Sequence, residues 1–128
     1  MNPFEKQRPL SPRLTVYRWQ FPMLASLAHR ASGMVLVLFV PFYLWLLHGM
    51  TGSPEDFDQI LALLHSSFGR FTLWLAGTSF IYHFMNGIRF LLLDAGAGES
   101  RGMMNFSAKL VLGATILVVL VLGALLWL

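Results

Sequence analysis

Three long runs without an acidic or basic residue constrain this chain more than any other feature. They cover residues 31–47, 71–88 and 110–128, and they contain 17, 18 and 19 residues. A helix needs about 20 residues to cross the hydrocarbon of a bilayer, so each run suffices once it extends past its polar borders. The runs predict three transmembrane helices. Their approximate bounds are 22–50, 68–93 and 106–128.

Composition supports a membrane protein. The chain is 56% hydrophobic and 12% charged, whereas soluble proteins are about 25% charged. The predicted fold is all-α and integral to a membrane, with a polar segment over residues 1–21 and a transmembrane anchor domain over residues 22–128. A signal peptide is not expected, because the first 30 residues are polar and contain four prolines. The absence of cysteine excludes disulfides and cysteine-ligated iron–sulfur clusters within this chain.

The distribution of charge predicts the orientation. Basic residues dominate the segment before the first span and the connection between the second and third spans, while acidic residues dominate the connection between the first two. The positive-inside bias then places the N-terminus in the cytoplasm and the C-terminus outside. Because the basic residues lie beside the spans, the net charge of +3 indicates membrane topology and not nucleic-acid binding. The basic residues are Lys6, Arg8, Arg13, Arg18 and Arg30 in the first segment, and Arg89, Arg101 and Lys109 in the later one.

The outer connection contains a helix start. Ser53 is a suitable cap, Pro54 suits the first helical position, and Glu55 and Asp56 are acids in the first turn. Two interpretations are open here: a short amphipathic helix, or an early extension of the second span.

Ser26, His29, Arg30 and Gly33 form a first polar cluster. Their spacing of i, i+3, i+4 and i+7 places them on one stripe of a helix. A hydroxyl, an imidazole and a guanidinium beside a glycine suit the polar head of a ligand that enters from the cytoplasmic side. The alternative is that His29 and Arg30 extend toward the membrane surface without binding anything.

His83, Gly87 and Arg89 form a second cluster. His83 precedes Arg89 by six residues and is therefore about 9 Å deeper in the membrane. Its imidazole could ligate a haem iron, with space for the macrocycle at Gly87, or it could form a hydrogen bond across helices. One histidine supplies one axial ligand, so a second would come from elsewhere. His48 and His65 are expected to be interfacial.

Two segments resemble a known family. Residues 8–12 (Arg-Pro-Leu-Ser-Pro) with 26–33 (Ser-Leu-Ala-His-Arg-Ala-Ser-Gly) are similar to the first signature of the cytochrome b subunit of succinate dehydrogenase. Residues 83–90 (His-Phe-Met-Asn-Gly-Ile-Arg-Phe), followed by 94–96 (Asp-Ala-Gly), are similar to the second. Their order, their spacing and the layout of three spans agree over nearly the whole chain.

The resemblance implies a membrane-anchor subunit of complex II in a bacterial inner membrane. Such a subunit is not catalytic alone. It works with a flavoprotein, an iron–sulfur protein and a second hydrophobic anchor subunit, in contact with membrane lipid, and binds haem b and ubiquinone. By position, Ser26 and Arg30 would bind quinone, His29 and Arg30 would contact the haem propionates, and His83 would be the axial ligand of the haem iron. The other axial histidine would come from the second anchor subunit.

One departure supports His83. Many relatives have a histidine where this chain has Phe90. If that histidine were the essential haem ligand, this chain could not bind haem. His83 is therefore the expected ligand. Two other functions are considered: the anchor of a fumarate reductase that uses menaquinone, and a non-catalytic membrane scaffold or transporter subunit whose histidines only pack.

Overall fold

The computed structural model describes residues 19–128, and these residues form four α-helices without a strand. The all-α prediction is confirmed for this part of the chain, whereas residues 8–12 of the first family segment lie outside it. The helices are α1 (Phe21–Met50), α2 (Pro54–His65), α3 (Ser67–Asp94) and α4 (Arg101–Trp127).

The helix signal at Ser53 produces a separate helix, α2, and not an extension of α3. Ser53 Oγ accepts a hydrogen bond from the Asp56 N–H at 3.2 Å, and the Asp56 carboxylate accepts one from the Ser53 N–H at 3.1 Å. This capping box satisfies donors that the helix leaves free. Hydrogen bonds from the Ser53 hydroxyl and backbone N–H also lower the pKa of Asp56.

The end of α3 is a Schellman turn. Gly96 has a φ of 82°, a conformation that glycine adopts without strain. The Ala97 N–H donates to the Leu92 carbonyl and the Gly96 N–H donates to the Leu93 carbonyl, both at 2.9 Å. These bonds satisfy the last carbonyls of α3 and direct the chain toward α4.

Two of the four described helices, α1 and α4, are long and apolar enough to cross a membrane by length and composition. With 28 residues, α3 is about 42 Å long, which exceeds the hydrocarbon thickness, but its sequence is more polar. The lower hydropathy of α3 comes from polar residues, and several of these are buried against other helices. They are Thr72, Ser79, Tyr82, Asn86 and Arg89.

The helices approach through small residues. Ala25 of α1, Ala76 of α3 and Ala108 of α4 are buried, while α3 packs against both α1 and α4. Large apolar side chains point outward instead, as for Leu38 (78% exposed) and Leu125 (76% exposed). This inverted arrangement suits contact with lipid or with other membrane subunits, since close helix packing in a membrane relies on small residues.

Candidate functional site

The two polar clusters meet where α1 crosses α3. The imidazole rings of His29 and His83 are stacked, with centroids 4.0 Å apart and planes inclined by 11°. Phe90 contacts His29 edge-on at 5.1 Å. The structure therefore brings together two histidines that lie 54 residues apart along the chain.

Hydrogen bonds fix the orientation of His83. Its Nδ1 lies 3.1 Å from the carbonyl oxygen of His29 and 3.2 Å from Ser32 Oγ, and Ser32 Oγ itself donates to that carbonyl at 2.8 Å. Because a carbonyl oxygen only accepts, this network assigns the ring proton to Nδ1. In a neutral imidazole the lone pair then resides on Nε2, which is the atom free to ligate a metal.

Glycines line both sides of the histidine pair. A Cβ atom at Gly33 would lie 3.0 Å from His83 Cε1, whereas one at Gly87 would lie 3.7 Å from His29 Nε2, an ordinary contact. Gly33 is therefore the glycine whose missing side chain lets the His83 ring lie close to α1. Gly87, which the sequence associates with space for a macrocycle, faces His29.

His29 has an unsatisfied polar atom. Its Nε2 is buried and has no hydrogen-bond partner among the described residues. An unpaired buried polar group costs about 1–3 kcal/mol, so a partner from a ligand or another subunit would stabilise it. The atom fits a hydrogen bond to a polar group bound beside the α1–α3 crossing.

Two buried side chains of α3 hold α1 in place near the site. The Tyr82 hydroxyl donates to the Ala25 carbonyl at 2.7 Å, and Asn86 Nδ2 donates to the same oxygen at 3.2 Å. Asn86 is fully buried. The two polar clusters predicted from the sequence include neither residue, although polar side chains within an apolar helix signal interhelical bonds. Both bonds anchor the turn of α1 that carries Ser26.

Arg89 joins α3 to α4. It is 5% exposed, its Nε donates to Ser107 Oγ at 2.9 Å, and its Nη2 donates to the Met104 carbonyl at 3.2 Å. The predicted charged border of the second cluster is thus a buried interhelical contact. His83 lies six residues away on the same helix, about 9 Å along its axis.

Ser26 and Arg30 remain available to bind a ligand. Ser26 is half-buried and Arg30 is exposed on α1, and within residues 19–128 neither side chain has a hydrogen-bond partner. They are four residues apart, so they share a face of the helix. By contrast, His48 is exposed near the other end of α1, and His65 donates from Nδ1 to Leu61 of its own helix at 2.8 Å.

The geometry defines a class of protein: an α-helical protein with long apolar helices and a histidine-centred polar site between two of them. The sequence profile of the family described as the succinate dehydrogenase/fumarate reductase transmembrane subunit matches residues 5–122. The chain belongs to this family, and the predicted relationship to succinate dehydrogenase cytochrome b subunits is confirmed.

Individual relatives agree. The chain is similar to the succinate dehydrogenase cytochrome b556 subunit of Coxiella burnetii, with 31% identity over 94% of this chain and 98% of that protein. For the b556 subunit of Paracoccus denitrificans the identity is 34%, over 90% and 89% of the two chains. For the mitochondrial b560 subunit of Sus scrofa it is 34%, over 86% of this chain and 66% of that protein.

Proposed function

We propose that this chain is the haem b-binding, quinone-binding anchor subunit of a bacterial succinate dehydrogenase. The hydrogen bond from His83 Nδ1 to the His29 carbonyl carries the proposal, because it leaves Nε2 as a metal ligand. The names of the relatives, which are cytochrome b subunits, supply the kind of metal centre. Those names also favour succinate oxidation over the reverse reaction with menaquinone.

The described residues fit a haem. His83 would hold the iron, while His29, through its unpaired Nε2, and Arg30 would hold the propionates. Because the His29 ring is stacked face-on against the His83 ring, His29 would not be the second ligand of the iron. That ligand would be a histidine of a second anchor subunit. A bound haem b supplies a one-electron redox centre between the subunits.

Ser26 and Arg30 would bind ubiquinone. Reduction of a quinone to a quinol takes two electrons and two protons, and negative charge develops on its oxygens. The guanidinium of Arg30 stabilises that charge, more strongly in a partly dry site than in water. The Ser26 hydroxyl donates a hydrogen bond to a quinone oxygen or relays a proton. The electrons would come from an iron–sulfur subunit that is reduced by a flavoprotein.

The proposed topology has three spans, formed by α1, α3 and α4. The length of α3 supports its inclusion, as does its polar side, which is turned toward α1 and α4 and away from lipid. The N-terminus would lie in the cytoplasm, near the soluble subunits.

Co-purification tests the proposed function. A tag on this chain, with extraction in a mild detergent, should recover a flavoprotein, an iron–sulfur protein and a second small hydrophobic subunit. The complex should show the absorption band of a reduced b-type haem after dithionite is added. A complex without this band, or a chain that purifies alone, would favour the scaffold function.

Fusion of reporters tests the topology. An alkaline phosphatase fused after Leu128 should be active, and one fused within residues 97–100 should be inactive, because the basic residues around the second connection hold it in the cytoplasm. Green fluorescent protein at the same positions should give the opposite pattern. Phosphatase activity at residues 97–100 but not after Leu128 would show that the chain has the opposite orientation in the membrane.

A further inference from the structure

A cleft at the N-terminal ends of α1 and α4 lies apart from the histidine site. It has a volume of about 720 Å³, and Trp19, Phe21, Arg101, Asn105 and Lys109 contribute to its lining. Two of these side chains are cations, and none of the lining residues within 19–128 is a carboxylate. The cleft is therefore a positively charged depression, which favours an anionic occupant.

The cleft lies at the level of lipid headgroups. Residues 110–127 of α4 carry no charge, and these 18 residues extend about 27 Å as a helix, close to the thickness of the hydrocarbon. Lys109 therefore marks the edge of the hydrocarbon, and Arg101 lies about 12 Å farther out along α4. Trp19, which is 59% exposed, suits the same interfacial layer.

One of the two cations, Lys109, is held at the cleft by a contact with α1. The Lys109 ammonium lies 4.8 Å from the centre of the Phe21 ring, a cation–π contact that joins α4 to α1. Residues 1–18 carry four basic residues and one acidic residue. The net charge of this segment is thus also positive, so the charge that could balance the two cations of the cleft would come from an anionic ligand.

An exposed apolar stripe of α4 continues from Lys109 toward the middle of the proposed span. Gly113, Ile116 and Leu120 follow Lys109 at spacings of four, seven and eleven residues, so they lie on the same face of α4. Ile116 is 61% exposed and Leu120 is 66% exposed. A Cβ atom at Gly113 would meet nothing within 4 Å. This stripe offers space for a chain of methylene groups directly below the two cations.

We propose that the cleft is a binding site for an anionic phospholipid such as phosphatidylglycerol. The Arg101 guanidinium binds the phosphate with two parallel donors, Lys109 adds a point charge, and an acyl chain lies along Gly113 and Ile116. Basic pockets between helices on the cytoplasmic side of membrane proteins bind lipid headgroups in this way.

Native mass spectrometry of the delipidated complex tests this site. After titration with phosphatidylglycerol, the wild-type complex should retain one molecule that phosphatidylcholine does not replace. Arg101→Gln with Lys109→Gln should weaken retention about 30-fold, because each basic residue near a membrane surface contributes about fivefold. Arg70→Gln is the matched control, because Arg70 lies near the start of α3 and does not line the cleft. This variant should retain the lipid.

Other results would overturn the proposal. Equal retention of phosphatidylcholine by the wild type, or unchanged retention of phosphatidylglycerol by the double variant, would show that the cations do not select the lipid. A third result would be that the wild-type complex retains no lipid and the double variant loses the iron–sulfur subunit. This result would show that a protein covers the cleft. The haem spectrum of each complex separates these results from a failure of the histidine site.

Discussion

Replacement of His83 by alanine is expected to abolish the reduced b-type haem band of the complex. The methyl group cannot ligate iron, and the other described histidines are not placed to substitute for it: His29 is packed face-on against the lost ring, while His48 and His65 lie elsewhere. The measurement is the dithionite-reduced spectrum, normalised to flavin or to total protein. His48→Ala and His65→Ala are the matched controls, and both should keep the full band.

A normal haem band in His83→Ala would remove the assignment of the axial ligand. Reduced recovery of the assembled complex is expected as well, because a group that binds two subunits together stabilises their association by mass action. Normalisation to flavin distinguishes this loss of assembly from loss of haem within an intact complex.

Ser32 gives a graded version of the same test. Ser32→Ala removes the hydroxyl that lies 3.2 Å from His83 Nδ1 but leaves the His29 carbonyl as acceptor. Haem should therefore bind, with a shifted midpoint potential, since the hydrogen bond on the distal nitrogen tunes the basicity of a metal-ligating histidine. A purely structural role for Ser32 would leave the potential unchanged.

Much of this architecture is visible in the sequence because it depends on local rules. The capping box at Ser53 satisfies backbone groups within a few residues, so the side chains of Ser53 and Asp56 identify it directly. The spacing of Ser26 and Arg30 likewise follows from helix geometry alone. The three uncharged runs correspond to α1, α3 and α4, although α3 is less apolar because some of its polar residues bond to neighbouring helices.

Contacts between helices required the structure. Nothing in local spacing indicates that Gly33 faces His83, or that Ser32 shares a hydrogen-bond network with it, because both depend on how α1 crosses α3. The roles of Tyr82 and Asn86 are of the same kind: their shared partner is a backbone carbonyl about 60 residues earlier, which no side-chain pattern encodes.

The second large effect is expected at the proposed quinone site. Ser26→Ala and Arg30→Leu should each lower succinate–quinone reductase activity by about 10²–10³-fold, the range observed when one preorganised donor to a developing oxyanion is removed. Succinate oxidation with a dye that accepts electrons before the quinone should remain close to wild type. The ratio of these two activities, measured on one preparation, isolates the membrane step from assembly. Arg70→Leu provides a control for the loss of a basic residue outside the site.

Arg30→Lys decides between binding and simple extension toward the membrane surface. Arg30 is exposed, and within residues 19–128 its side chain has no hydrogen-bond partner, so an arginine that only reaches polar headgroups should be replaced by lysine without loss. Lysine keeps the charge but not the planar fork of donors, which is required to hold an oxygen in a fixed direction. We expect Arg30→Lys to remain impaired in quinone reduction, with a raised KM for quinone. Full activity of Arg30→Lys, together with normal quinone reduction in Ser26→Ala, would exclude these two side chains from the site and would direct attention to the partner subunits.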